Sequence, residues 1–135
     1  MNEKITVWII DDDQVNNLIC KTMLNEEQWV SDIREFNDSR QAFDQLSQLS
    51  ESDYPEAILL DINMPGLSGW QFLENAKSQL PGFQAETIPC VLLLTSSIDE
   101  SDEVRADEHP MVEGMLSKPL DLKRMKEICF KNDHK

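Results

Sequence analysis

The sequence predicts an α/β fold in which a parallel sheet carries helices on both faces. Three observations lead there. Short apolar runs alternate with stretches of helical periodicity five times along 135 residues, with no linker, internal repeat or low-complexity tract between them. The first, third and fourth runs are continuously apolar rather than alternating, as strands buried on both faces are. Parallel strands need crossover connections, and right-handed crossovers place helices over both faces of the sheet.

Residues 5–10 (ITVWII) read as a buried strand, stopped by Asp11, Asp12 and Asp13. Val15, Leu18, Ile19 and Met23 then recur at helical spacing, and Asp13 is the expected N-cap, its carboxylate able to accept from the open amides of a first turn. Residues 30–36 form a weaker strand with polar insertions, which suits a sheet edge. Ala42, Phe43, Leu46 and Leu49 mark a second helix, closed by the polar run 50–55. Residues 57–60 are an apolar strand ending at Asp61, and residues 64–69 (MPGLSG) carry turn chemistry. Trp70, Leu73, Ala76 and Leu80 mark the third helix, followed by a loop over 81–89. Residues 90–94 are the most apolar strand and end at Thr95, Ser96 and Ser97. Residues 99–109 form a poor helix, with Asp99, Glu100, Asp102, Glu103, Asp107 and Glu108 set against Arg105. Residues 114–117 are a short strand ending at Lys118-Pro119, and Leu122, Met125, Ile128 and Cys129 mark the last helix. Residues 1–135 are therefore expected to form one domain, large enough to bury roughly two-thirds of its unfolded surface without a disulfide or structural metal.

Charge narrows the function. Twelve basic against 26 acidic residues give a net charge of −14 and a pI near 4.3. Such a field repels phosphate backbones and anionic lipid, and the basic residues never run three together, so neither nucleic acid nor a membrane is an expected partner. The start of the chain lacks a basic region leading into a long apolar stretch, and the longest apolar run, 90–94, is far short of the ~20 residues of a spanning helix. Cys20, Cys90 and Cys129 are widely spaced among apolar neighbours, as buried reduced thiols are, and a cytoplasmic location is expected. His109 and His134 have no context for catalysis and are expected at the surface.

The informative polar residues share one address, the C-terminal ends of the strands: Asp11 and Asp12 after the first, Asp61 after the third, Thr95 after the fourth, Lys118 after the fifth. Open α/β sheets bind ligands in the crevice outside these ends, where the strand order switches. Carboxylates gathered there repel one another unless a cation sits among them, and Mg²⁺ suits an all-oxygen set that leaves room for phosphate. A carboxylate nucleophile, a metal, an ammonium and a hydroxyl together make a phosphoryl-transfer site working through an aspartyl phosphate.

These motifs, VWIIDDD (7–13), ILLDINMPGLSGW (58–70), VLLLTSS (91–97) and LSKPL (116–120), resemble the receiver domain of two-component response regulators, in its stand-alone form, across essentially the whole chain. The resemblance implies a flavodoxin-like, doubly wound five-stranded parallel sheet of order 2-1-3-4-5. It implies that Asp61 is the phosphoacceptor, that Asp12 and Asp61 ligate Mg²⁺ with the backbone carbonyl of Asn63, and that Asp11 acts largely through water. Lys118 would pair with Asp61 and the phosphoryl group, Thr95 would turn in to hydrogen-bond it, and the Lys118–Pro119 bond would be cis. The implied donor is the phosphohistidine of a histidine kinase or histidine phosphotransfer protein, and the chain would be a signalling protein, not a turnover enzyme. Met115 stands where the family usually carries an aromatic switch residue coupled to the threonine. Two alternatives compete. A degenerate receiver acting as a binding module is disfavoured by the intact Asp11, Asp12, Asp61, Thr95 and Lys118 set. A Mg²⁺-dependent phosphohydrolase of the haloacid-dehalogenase type would need an acid where Asn63 stands and a cap domain for which there is no room.

Overall fold

Five strands, β1 (Ile5–Ile10), β2 (Val30–Phe36), β3 (Ala57–Asp61), β4 (Cys90–Thr95) and β5 (Val112–Ser117), pair in parallel in the order β2-β1-β3-β4-β5 in a computed structural model that describes residues 4–83 and 89–130. The order is the one the resemblance implies. The chain runs from β1 outward to β2, then crosses back to β3 on the other side, so the switch point lies between the ends of β1 and β3.

Helices α1 (Gln14–Asn25), α2 (Ser39–Gln48), α3 (Gly69–Gln79), α4 (Glu100–Glu108) and α5 (Leu122–Phe130) fill the two layers. Alternation along the strands divides the core. Val7, Ile9, Leu59, Leu92 and Leu94 face Cys20, Leu24 and Met125 of α1 and α5. Trp8, Ile10, Ile58, Leu60 and Leu93 face Ala42, Leu46, Phe72, Leu73, Ala76 and Ala106 of α2, α3 and α4. Every residue of β3 is buried, whereas on the edge strand β2 only Phe36 is. β5 begins two residues before the sequence-based bound, because exposed Glu113 interrupts the apolar run without interrupting the pairing. Short 3-10 turns at Glu51–Asp53 and Pro81–Phe83 fall within the stretches read as connections.

Asp13 caps α1 as expected, its side chain accepting from the Val15 and Asn16 amides. The apolar residues read for α1 have the right period but do not face the core. Val15 and Leu18 are 69% and 66% exposed, Ile19 is exposed as well, and the buried face is Asn16, Asn17, Cys20 and Leu24. Periodicity gives a helix and leaves its rotation open, and here the first turn lies against polar groups at the end of β1.

α4 buries only Ala106 and is held to α3 largely by polar and aromatic contacts. Trp70 Nε1 donates to Asp102 Oδ1 at 3.3 Å, the Arg105 guanidinium lies 4.4 Å from the centre of the Trp70 ring, and the His109 ring sits 6.2 Å from it. His109 is thus no plain surface residue: its side chain is 8% exposed, its Nε2 is 3.0 Å from Glu74 Oε2, and its Nδ1 accepts from the Met111 amide. With Nδ1 occupied as an acceptor, the proton of the neutral ring lies on Nε2, towards Glu74. His134 lies outside the described residues. Among those residues no helix is long and apolar enough to cross a membrane.

The thiols divide. Cys20 is fully buried and burial, aided by the charge of Asp11, pushes its pKa up to about 11; Cys90 and Cys129 are half-buried, not fully enclosed as the sequence suggested. A bulky thiol reagent at pH 8 should therefore leave Cys20 unmodified in the native protein and reach it only on unfolding. Peptide mass mapping after timed exposure checks this, and rapid native modification of Cys20 would contradict its placement.

Candidate functional site at the switch point

The carboxylates arrive from two neighbouring strands. β1 ends at Ile10, and the Asp11 amide still donates to the Phe36 carbonyl at 2.9 Å, so the ladder carries Asp11 to the edge of the crevice. β3 ends at Asp61 itself. One oxygen from each of Asp11, Asp12 and Asp61 lies within 4.8 Å of the others. Asp11 and Asp61 are buried, at 1% and 5% exposure, while Asp12 is open to solvent.

Lys118 enters from the end of β5. Its amide donates to the Thr95 carbonyl at 2.8 Å and its bond to Pro119 is cis, as the resemblance implies. Its Nζ lies 2.8 Å from Asp11 Oδ2, 3.8 Å from Asp61 Oδ1 and 3.9 Å from Asp13 Oδ2. Burial alone would lower its pKa, but the hydrogen bond to Asp11 and the charges of Asp11, Asp61 and Asp13 outweigh it and hold the ammonium above its usual value. Asp61 goes the other way. Burial first, then the charge of Asp11, push its pKa up to about 7 against the opposing pull of Lys118 and the Asn63 amide. One ammonium does not balance three carboxylates.

That imbalance is the test of whether a divalent ion fits. The donors are all carboxylate oxygens, hard ligands within reach of one another, and burial together with the charge of Asp11 holds the phosphoacceptor candidate above the usual carboxylate range. The donor set suits Mg²⁺. Asn63 is exposed two residues after Asp61, and its amide hydrogen-bonds the Asp61 carboxylate.

Thr95 is buried at the end of β4, and its hydroxyl donates to the Ser97 carbonyl at 3.0 Å. Met115 lies half-buried on β5, opposite Leu93 and packed on the core of the α2–α3–α4 side.

Four residues were not legible as part of this site. Asn16 Nδ2 donates to Asp11 Oδ2 and Asn17 Nδ2 to the Asp11 carbonyl, each at 2.9 Å. Ser39 Oγ donates to the Leu67 carbonyl and so ties the start of α2 to the loop after Asp61. Gly69 begins α3 so close to the end of β3 that a Cβ there would collide with the Asp61 carbonyl oxygen and the Ile62 Cα. The signal for the asparagines is rotational: turned a quarter-turn, the α1 wheel puts them inside.

A family model for the response regulator receiver domain matches residues 7–130. Among solved structures, a two-component response regulator from Cytophaga hutchinsonii is 29% identical, with a TM-score of 0.88 over 98% of this chain and 100% of that one. A response regulator receiver protein from Dyadobacter fermentans is 25% identical, with a TM-score of 0.82 over 93% of this chain and 95% of that one. An osmosensing histidine protein kinase of Saccharomyces cerevisiae is 30% identical over 92% of this chain and 10% of its own length. A protein-glutamate methylesterase/protein-glutamine glutaminase of Methanospirillum hungatei is 27% identical over 97% of this chain and 36% of its own length. The chain thus spans about a third or less of these two curated relatives.

Proposed function

Because this chain belongs to the response regulator receiver domain family, the phosphoacceptor module of two-component signalling, we propose that Asp61 is the residue that takes the phosphoryl group. The observation that carries the assignment is the crowding of Asp61 with Asp11, Asp12 and Lys118 at the switch point, where the groups converge from the ends of β1, β3 and β5. An Asp61 oxygen attacks phosphorus, the bond to the donor's histidine nitrogen breaks, and the imidazole leaves neutral with its proton on the other ring nitrogen. The product is a mixed anhydride on Asp61. Lys118, 3.8 Å from Asp61 Oδ1, is placed to balance charge on the transferred oxygens. Thr95 reaches them once its hydroxyl releases the Ser97 carbonyl. Asp12, Asp61 and the Asn63 carbonyl would hold Mg²⁺ directly and Asp11 through water, and the ion would supply the positive charge that lets crowded carboxylates and a phosphoryl group share the site.

The chain acts as a regulator: its chemistry is its own phosphorylation and hydrolysis, and the esterase activity in the name of the Methanospirillum relative belongs to that protein. The donor we propose is a histidine kinase or histidine phosphotransfer protein. Val15 and Leu18 on α1 and Pro119 beside Lys118 are exposed around the site and give it an apolar landing surface. Met115 lacks the two discrete states of an aromatic ring, so readout does not run through a ring flip at that position.

Incubation with Mg²⁺ and acetyl phosphate tests the reading: one acid-stable, base-labile phosphoryl group per chain is expected by intact mass. The ion has its own check. Mg²⁺ at millimolar concentration should raise the thermal midpoint, because it binds the folded carboxylate cluster and not the unfolded chain, and the rise should largely vanish in Asp12→Ala. An unchanged wild-type midpoint would count against the metal assignment.

A further inference from the structure

We infer that Asn16 is a positioning residue for this centre, which acts through Asp11 to set where Lys118 stands relative to Asp61. The inference rests on the reading of Asp61 as phosphoacceptor and extends it to a side chain that touches none of the reacting atoms.

The starting observation is that α1 is packed inside out. Its first turns bury Asn16 and Asn17, at 4% and 0% exposure, and leave Val15, Leu18 and Ile19 at 69%, 66% and 39%. Burying amides in place of aliphatic side chains forfeits apolar burial and requires each amide to recover its lost hydration in hydrogen bonds. Asn17 does not fully recover it. Its Oδ1 is the one buried side-chain polar atom without a partner among the described residues, a desolvation cost left uncompensated. A local rule broken at this cost, beside the strand end that carries Asp11, points to service at the site rather than to the fold.

Both amides serve Asp11. Asn17 holds its main-chain carbonyl and Asn16 its carboxylate. Asp11 Oδ1 accepts from the Asp13 amide at 2.9 Å, and Oδ2 accepts from Asn16 Nδ2 at 2.9 Å and from Lys118 Nζ at 2.8 Å. A carboxylate oxygen presents two lone pairs, so Asn16 and Lys118 between them fill Oδ2. The carboxylate is then fixed in rotation, and Lys118 is left one direction of approach, from which Asp61 Oδ1 is 3.8 Å away. Without the Asn16 amide, one lone pair opens and Asp11 turns about its Cβ–Cγ bond, carrying the ammonium off its line to Asp61. A neutral donor is the suitable clamp, since it steadies the Asp11 charge without adding another charge to the cluster.

The test is the rate of Mg²⁺-dependent labelling by acetyl phosphate, followed over hours by intact mass, in the full chain. Asn16→Leu keeps the shape and removes the donor. Partners that orient reacting carboxylates cost about tenfold or more when lost, so labelling about tenfold slower than wild type is expected. In a Lys118→Ala background the same change should slow labelling little further, because its route runs through Lys118; a general packing defect would slow both backgrounds alike. Asn16→Ala, smaller and a good helix former, carries the same comparison should Asn16→Leu lose cooperative unfolding. Wild-type rates in the folded Asn16 variants, or an equal slowing with and without Lys118, would overturn the inference alone. A wild-type chain that takes up no phosphoryl group would overturn the phosphoacceptor reading beneath it.

Discussion

Asp61→Asn should abolish labelling by acetyl phosphate completely and, in the absence of metal, stabilise the protein at neutral pH. The first effect follows from chemistry: an amide is no nucleophile at neutral pH, and Asp11, the other buried carboxylate of the cluster, has its Oδ2 already taken up by Lys118 and Asn16. The second follows from the raised pKa of Asp61, about 7 in the folded protein against an ordinary 3.8. A carboxyl raised on folding binds its proton more tightly in the native state. Metal-free stability is therefore highest where Asp61 stays protonated, falls as pH climbs from about 4 towards 7, and carries the full penalty above that, on the order of a few kcal/mol. The amide of the variant carries no such charge at any pH in this window. Thermal midpoints in EDTA from pH 4 to 8 should show wild type falling behind the variant across it. Persistent labelling of the variant would remove Asp61 from its role, and parallel pH profiles would remove the electrostatic account.

Gly69→Ala should be among the most damaging single methyl additions the chain can receive. The new Cβ meets the Asp61 carbonyl oxygen and the Ile62 Cα, which is 2.9 Å away, and both belong to the main chain, so no side chain can swing aside. The Gly69 amide also donates to the Ile62 carbonyl at 2.9 Å, which ties the start of α3 to the same point. Relief requires α3 to back away from the end of β3. Overpacking of this kind costs about 3 kcal/mol, or about 10 °C in midpoint for a domain of this size. Because the displaced backbone carries Asp61, labelling should slow by roughly a hundredfold, as misplacements near 1 Å do. Calorimetry and the labelling rate on one preparation check both, and a variant matching wild type in each would refute the close approach.

The strands were legible because burial on both faces leaves a mark that needs no knowledge of orientation. Residues 57–60 and 90–94 are apolar whichever way they turn, and both lie in the centre of the sheet. The chemistry was legible for a related reason, since a charged residue directly after such a run has one place to be. Helices gave less. The α1 pattern carries a period but no phase, and Val15, Leu18 and Ile19 fall on the outer face. Asn16 and Asn17 were hidden by the same ambiguity. His109 was hidden by distance in the chain: its burial depends on Trp70 and on Glu74, the latter 35 positions away, which nothing local to residue 109 announces. Gly69 is conspicuous only once the separation between β3 and α3 is known.

The stack on Trp70 gives the protein an optical handle of its own. The chain has three indoles. Trp8 is sealed in the sheet at 2% exposure and Trp29 meets Phe130 edge-on, while Trp70 has the guanidinium of Arg105 over its ring and the imidazole of His109 beside it. Whatever loosens α4 takes two neighbours from one emitter and lets water reach it, which changes its emission. With Phe in place of Trp8 and Trp29, the remaining fluorescence would follow the attachment of α4 in real time, on unlabelled protein, while phosphodonor is added.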